Sequence, residues 1–158
     1  MSGATLSLKG RALRYLSARE HSRSELARKL ARHSEEADEV ERVLDELTAK
    51  GWLSAERFVE SVVHRRAERF GAARIRQELQ QHDIDPIESA AALDALRQSE
   101  PERAQAVWQR RFGTPPTTPA ERAKQMRFLA GRGFSTEVIR RVMSQLPPGT
   151  LDTPDDLD

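Results

Sequence analysis

The 158-residue sequence contains no cysteine, few aromatic residues and no long apolar run. Without cysteine, it can form neither disulfides nor thiolate metal sites, which is typical of a protein from a reducing compartment. Residues 1–9 show no signal-peptide pattern and no segment is apolar enough to span a bilayer, so a cytoplasmic location is expected. Hydrophobic residues make up 37% and aromatic residues 5% of the chain, which favours a row of small cores over one large core.

Charged residues are abundant, at 32% of the chain, and they are segregated along it although the net charge is only +1. Residues 8–34 hold eight bases and two acids, and residues 35–47 hold seven acids and one base. The alternation recurs, with a basic block at 57–76, an acidic block at 77–102 and a basic block at 103–141. Such blocks either neutralise one another within the fold or present a basic surface to an anionic partner.

Helix signals dominate the sequence, and no alternating apolar pattern predicts a strand. Apolar spacing predicts helices over residues 8–19, 55–70 and 101–112, among others. The helix starts are marked by N-cap residues and capping boxes. The predicted caps are Ser22, Ser34, Ser54, Asp85, Ser99, Thr118 and Ser135.

An internal repeat organises the chain. Leu30, Leu79 and Leu129 lie 49 and 50 residues apart, and each is followed at offsets of 10, 13, 14 and 17 residues by a matching helix face. The matched faces are Val40, Val43, Leu44 and Leu47, then Ser89, Ala92, Leu93 and Leu96, then Ile139, Val142, Met143 and Leu146. The predicted fold is therefore all-α, an elongated array of three tandem three-helix repeats. The repeats are predicted at residues 8–50, 51–98 and 99–146, between a disordered N-terminus (1–7) and an acidic disordered tail (147–158).

Three segments resemble those of the RecX family of recombination regulators, in the same order along the chain. They are Arg19–Leu26 with Lys29 and Leu30, Gly71–Ile84, and Phe128–Ser135 with Val138 and Ile139. The resemblance implies a protein that binds RecA recombinase and its filament on single-stranded DNA. It also implies inhibition of ATP hydrolysis, strand exchange and the SOS co-protease function. The family more often has an aspartate before the Arg-Phe pair, where this chain has Ser54-Ala55-Glu56, so the role of that carboxylate is open.

Arginine supplies 22 of the 26 basic residues, and its planar guanidinium can bind a carboxylate or phosphate through paired hydrogen bonds. Arg57, Ser61, Arg65 and Arg69 recur every four residues, which predicts one exposed stripe on the helix 55–70. A solvated face or a compositional bias would give the same pattern. The candidate residues for binding the partner or nucleic acid are Arg57, Arg65, Arg69, Arg74, Arg76, Arg103, Arg110, Arg111, Arg127 and Arg132.

The sequence predicts no catalytic residue, metal site or cofactor, and no membrane partner. The four histidines lack helix-spaced partners, and Trp52 and Trp108 are predicted to pack in cores or between repeats. The alternative function is that of a stand-alone DNA-binding protein that reads duplex with a three-helix unit. The acidic third helices of the first two repeats count against this alternative. A monomer is expected, since no large apolar patch is evident.

Overall fold

The computed structural model describes residues 5–147, and this part of the chain consists of eight α-helices with no strand. The helices are α1 (Leu8–Ala18), α2 (Arg23–Ala31), α3 (Ala37–Ala49), α4 (Ala55–Arg66), α5 (Ala72–Gln81), α6 (Pro86–Arg111), α7 (Pro119–Gly131) and α8 (Thr136–Gln145). The all-α prediction is confirmed for the described residues. Of the two predicted disordered ends, residues 1–4 and 148–158 lie outside the described residues, while Ser7 caps α1.

The chain divides into two compact units. The first unit contains residues up to His64 together with Gln77–Ala92, and the second contains Arg65–Arg76 together with residues from Leu93 onward. The core of the first unit is formed by leucines of α2 and α3 packed with Ala12. The core of the second unit contains Ala104, Trp108 and Leu129 with the apolar face of α8.

The three predicted leucine anchors occupy equivalent places. Leu30, Leu79 and Leu129 are each no more than 1% exposed and lie near the end of the second helix of their repeat. The face that follows each anchor is also largely buried, including Leu44 and Leu47 in α3 and Val142 in α8. These helices bury one side because their apolar residues return every three or four positions. The predicted periodicity is therefore confirmed.

Most predicted helix starts are confirmed by side-chain caps. Ser22 Oγ accepts the Glu25 backbone N–H at 3.1 Å, and the Ser54, Thr118 and Ser135 hydroxyls accept equivalent bonds. Glu25 also pairs with Arg19 at 2.8 Å, and this hydrogen bond lowers the pKa of Glu25 to about 2. Two predicted caps are wrong. Glu36, not Ser34, precedes α3, and Ser99 lies inside α6.

Helix α6 is one continuous helix of 26 residues, where the sequence predicted a break near Ser99 and a new helix from Pro101. Proline removes a backbone donor, which normally interrupts a helix. Here the Leu96 carbonyl accepts hydrogen bonds from Arg103 Nη2 at 2.7 Å and from Ser99 Oγ at 3.2 Å. The carbonyl that loses its helical donor to Pro101 is that of Arg97, four residues earlier, so these bonds cover the neighbouring carbonyl and do not replace the missing one.

Arg103 also fixes the turn that follows α4. Helix α4 ends at Arg66, four residues earlier than predicted, and residues 67–69 form a turn. Arg103 Nη1 donates to the carbonyls of Ala67 at 2.8 Å and Phe70 at 2.7 Å, which have no helical partner beyond the helix end. Burial lowers the pKa of this half-buried guanidinium, while the buried Glu100 carboxylate acts in the opposite direction. Arg103, predicted as a binding residue, is thus engaged inside the fold.

We expect Arg103→Ala to lower the free energy of unfolding by about 3 kcal/mol, because it leaves several carbonyls without their charged donor. Arg103→Lys should restore less than half of this loss, since an ammonium group cannot reproduce the planar donor set. The measurement is urea denaturation followed by circular dichroism. Arg97→Ala is the matched control on the same helix: Arg97 is exposed and, among residues 5–147, pairs with Asp94 alone, so a change below about 0.5 kcal/mol is expected. Equal losses for Arg97→Ala and Arg103→Ala would contradict this assignment.

The start of α5 touches the turn between α7 and α8 backbone to backbone. The Gly71 N–H donates to the Arg132 carbonyl at 2.8 Å. A Cβ atom on Gly71 would overlap the Gly133 backbone, and one on Gly133, whose φ is +88°, would overlap Arg74. The next N–H, that of Ala72, donates to the buried Glu100 carboxylate at 2.7 Å. Two glycines are therefore required for this close approach within the second unit.

Candidate functional site

The site begins at the turn after α4, which presents Phe70. Besides the two bonds from Arg103, this turn receives one from Arg110, whose Nη2 donates to the Glu68 carbonyl at 2.6 Å. Positive guanidinium groups are favoured at the carbonyl end of a helix, where the backbone dipole is negative. The turn is thereby fixed to α6, and Phe70 is left partly exposed beside α5 and the α7–α8 turn.

Arginines and phenylalanines alternate across the second unit. The rings of Phe112 and Phe128 meet edge to face with centroids 5.4 Å apart. Arg111 lies 5.4 Å from the Phe128 ring centroid, and Arg132 lies 5.0 Å from it. Arg132 is also 5.3 Å from the Phe70 ring, and Arg74 is 4.9 Å from that ring. Because neighbouring arginines share rings, these residues form one connected surface. We call it the Arg–Phe cluster, and its members are Phe70, Phe112, Phe128, Arg66, Arg74, Arg111 and Arg132.

Two arginines of the cluster, Arg111 and Arg132, carry positive charge that no described acid pairs with. Within the described chain, Arg111 and Arg132 make no side-chain hydrogen bond or ion pair, and Arg74 donates once, to the Gly131 carbonyl at 2.9 Å. A guanidinium over a ring is held by the cation–π attraction and keeps its in-plane N–H donors available. The cluster therefore offers oriented donors that suit a carboxylate or a phosphate.

The ten predicted binding residues fall into separate groups. Arg74, Arg111 and Arg132 come together in the Arg–Phe cluster, whereas Arg103 and Arg110 hold backbone carbonyls. Four more of the ten predicted residues are exposed on the second unit outside the cluster: Arg65, Arg69, Arg76 and Arg127.

The prediction of an exposed four-residue stripe on the helix 55–70 is wrong at its C-terminal end, while Arg57 at the other end is exposed and helical as predicted. Arg69 lies in the turn beyond α4, so it does not continue the helical spacing. Arg57, in the first unit, donates to Glu20 at 2.9 Å and to the carbonyls of Gly51 and Trp52. Its charge is therefore used within the fold.

Sequence reasoning missed the aromatic half of the cluster, because Phe70 and Phe112 follow the apolar spacing of their helices, which is typical of core residues. A signal was present: Phe70, Phe112 and Phe128 each directly follow an arginine. The signal is not sufficient alone, since Phe58 follows Arg57 and is buried.

The two tryptophans differ. Trp108 is buried and its indole N–H donates to Gln125 at 2.8 Å, so its predicted core position is confirmed. Trp52 is 45% exposed, with the Lys9 and Lys50 ammonium groups 5.7 and 5.3 Å from its ring centroid. Trp52 therefore does not lie in a core, which was one of the two places predicted for it.

Residues 5–147 contain neither a metal-ion cluster nor a membrane span. No group of three or more His, Asp or Glu side chains in this range is arranged to hold a metal ion. No helix in the same range is long and apolar enough to cross a membrane. His21 is buried, and this burial lowers its pKa; its Nε2 lies 2.8 Å from Lys29 Nζ, so it is part of the packing of the first unit.

Comparison with known proteins gives a consistent result along the chain. Family models match for the first, second and third three-helix domains of RecX, over residues 9–47, 56–93 and 98–143. Two crystal structures share the fold. RecX from Lactobacillus salivarius has a TM-score of 0.76 at 21% identity, covering 88% of this chain and 94% of that one. A second regulatory protein RecX has a TM-score of 0.74 at 22% identity, covering 92% and 83%. The predicted tandem of three-helix repeats is thus confirmed.

The curated sequence relatives share a higher sequence identity with this chain than the two crystal structures do. The regulatory protein RecX of Leptothrix cholodnii is 61% identical over 138 residues, which is 87% of this chain and 88% of the relative. That of Ralstonia nicotianae is 57% identical, covering 87% of each chain. Matches at this identity extend over nearly the full length of the relatives, and the three domain models match in order. The chain belongs to the RecX family of regulatory proteins.

Proposed function

We propose that this protein binds RecA recombinase and its filament on single-stranded DNA, and that it thereby inhibits the recombinase. The inhibited activities are ATP hydrolysis, strand exchange and the SOS co-protease function. The protein acts in the cytoplasm as a monomer, by binding rather than by catalysis. Membership of a regulatory family supports this proposal, together with one observation on the surface: Arg111 and Arg132 of the Arg–Phe cluster present guanidinium edges that no acid of the described chain pairs with.

A nucleoprotein filament offers both kinds of anion that such a surface binds, because it exposes phosphates and carboxylates side by side. Each phosphate contact releases counterions, so affinity falls as salt rises. The acidic third helices of the first two repeats disfavour indiscriminate coating of DNA, since like charges repel. The repeat boundaries at 8–50, 51–98 and 99–146, and the remaining exposed arginines as further contacts, belong to this proposal.

The test is DNA-dependent ATP hydrolysis by RecA on single-stranded DNA, with this protein added at a tenth of the RecA concentration or less. We expect the rate of ATP hydrolysis to fall by a larger fraction than the ratio of this protein to RecA, because one bound regulator blocks many filament subunits. Binding is measured in parallel on the filament, on bare single strands and on duplex, at two salt concentrations. Tight, sequence-dependent binding to duplex with unchanged ATP hydrolysis would contradict the proposal and favour a DNA-reading protein.

A further inference from the structure

The third helix of the middle repeat carries smaller side chains than its counterparts in the other two repeats, and one of them, Ala92, lines a groove. At two matched positions of the third helix, the first repeat has Val40 and Val43 and the third repeat has Ile139 and Val142. The middle repeat has Ser89 and Ala92 there. Val43 is partly buried and Val142 is buried in its own repeat, so Ala92 removes apolar volume from the middle repeat; Ser89 is itself buried and does not line the groove.

The groove lies within the first unit and has a volume of about 780 Å³. Its walls are the connection from α3 to α4, the outer face of α4 and the first half of α6. The apolar lining comes from Leu53, Ala55, Val59, Ala91 and Ala92. The side chain of Ile87, one helical turn before Ala91, is 85% exposed and extends the apolar strip along α6. An apolar strip of this kind fits the inserted side chains of a helical segment.

The rim of the groove is acidic. Glu56 and Glu60 on α4 and Glu88 on α6 line it, and all three are exposed. Within the described residues, none of these carboxylates makes a side-chain hydrogen bond or an ion pair. Arg57 is the cation of the lining, and its charge is already paired with Glu20. The rim therefore attracts positive charge, in contrast to the Arg–Phe cluster of the second unit.

We propose that this groove binds a basic, amphipathic helical segment of a partner protein. One or two aliphatic side chains of the partner enter the groove over Ala91 and Ala92, and at Ala92 they occupy space that a valine fills in the first and third repeats. Lysines or arginines that flank them lie against Glu56, Glu60 and Glu88. The site is separate in charge and in residues from the Arg–Phe cluster, so the protein carries two binding surfaces of opposite sign.

The probe is a synthetic 18-residue helical peptide with leucines at positions i, i+3, i+4 and i+7 and lysines elsewhere, carrying a fluorescent label. Its binding to the full chain is measured by fluorescence anisotropy. We expect the dissociation constant to rise about tenfold for Ala92→Leu, which fills the groove, and about tenfold for the triple variant E56Q/E60Q/E88Q, which removes the rim charge. The control E35Q/E36Q/D38N removes three exposed acids from the start of α3 and should change binding less than twofold.

Further experiments distinguish the proposed helical partner from other possible occupants of the groove. A scrambled peptide of the same composition should bind at least about tenfold more weakly than the probe. Equal binding of the two peptides, or equal weakening by the control variant, would overturn the proposal in favour of unspecific charge attraction. Self-association that Ala92→Leu abolishes in sedimentation equilibrium would overturn it in favour of a second copy of the chain. Charge reversal in the Arg–Phe cluster should leave peptide binding unchanged, so this result does not depend on the proposed inhibition of RecA.

Discussion

Gly71→Ala and Gly133→Ala are each expected to lower the free energy of unfolding by about 4 kcal/mol, enough to unfold a domain of ordinary stability. The reason is steric, because the backbones of the α5 start and the α7–α8 turn are in contact. A Cβ atom at either position overlaps backbone or Cβ atoms, which cannot move aside as the end of a flexible side chain can. At Gly133 the positive φ adds a further cost for any other residue. Urea denaturation followed by circular dichroism measures the effect.

Two other glycines provide matched controls. Gly131 lies two residues before Gly133, at the end of α7, and an added Cβ would meet no atom within 4 Å. Gly131→Ala should therefore be neutral or slightly stabilising. Gly51 has a φ of +75° and open space around it, so Gly51→Ala should cost only the backbone term, about 1 kcal/mol. The close contact would be disproved if Gly71→Ala and Gly133→Ala lowered the free energy of unfolding no more than Gly51→Ala does.

Reversing the charge of the Arg–Phe cluster is expected to abolish inhibition of RecA. The double variant R111E/R132E removes two guanidinium groups that no described acid neutralises and replaces them with repelling charges. A loss of two charge-assisted bonds corresponds to about 3 kcal/mol, so the concentration for half inhibition of RecA ATP hydrolysis should rise about a hundredfold. A conservative variant, R111K/R132K, keeps the charge but loses planar stacking on the rings, and an intermediate effect is expected.

The matched control for this experiment is R14E/R42E in the first unit. Arg14 and Arg42 are exposed, and their side chains make no hydrogen bond or ion pair among the described residues. The change in net charge is the same, so a general electrostatic effect would weaken inhibition equally in both pairs. Circular dichroism confirms that each variant is folded. If R111E/R132E inhibits as strongly as R14E/R42E, the cluster is not the RecA-binding surface.

Features that depend on local periodicity were predictable from the sequence. The three leucine anchors, the buried helix faces and the caps at Ser22, Thr118 and Ser135 follow from spacing and from short hydrogen bonds between near neighbours. These features need no knowledge of what lies elsewhere in the chain. For the same reason, the number of repeats and the helical class could be derived before any coordinates.

Features that depend on distant partners were not predictable. Ser99 followed by Pro101 is a valid helix-start signal, but α6 continues through it and buries Leu96 before the proline and Ala104 after it. The sequence likewise marks the arginines as charged, but it does not reveal which carbonyls lie near them. Arg103 and Arg74 have the same side chain and different roles, because one faces the end of α4 and the other lies over an aromatic ring.

Because the two tryptophans differ in exposure, their intrinsic fluorescence can report separately on two regions of the protein. Trp52 is accessible in the first unit and Trp108 is enclosed in the second, so a soluble quencher such as iodide should reach the indole of Trp52 selectively. Emission from Trp52 reports on the segment that adjoins the acidic groove, and emission from Trp108 reports on the packing of α6 against α7. Events in the first unit and in the second can thus be distinguished in the unlabelled native chain.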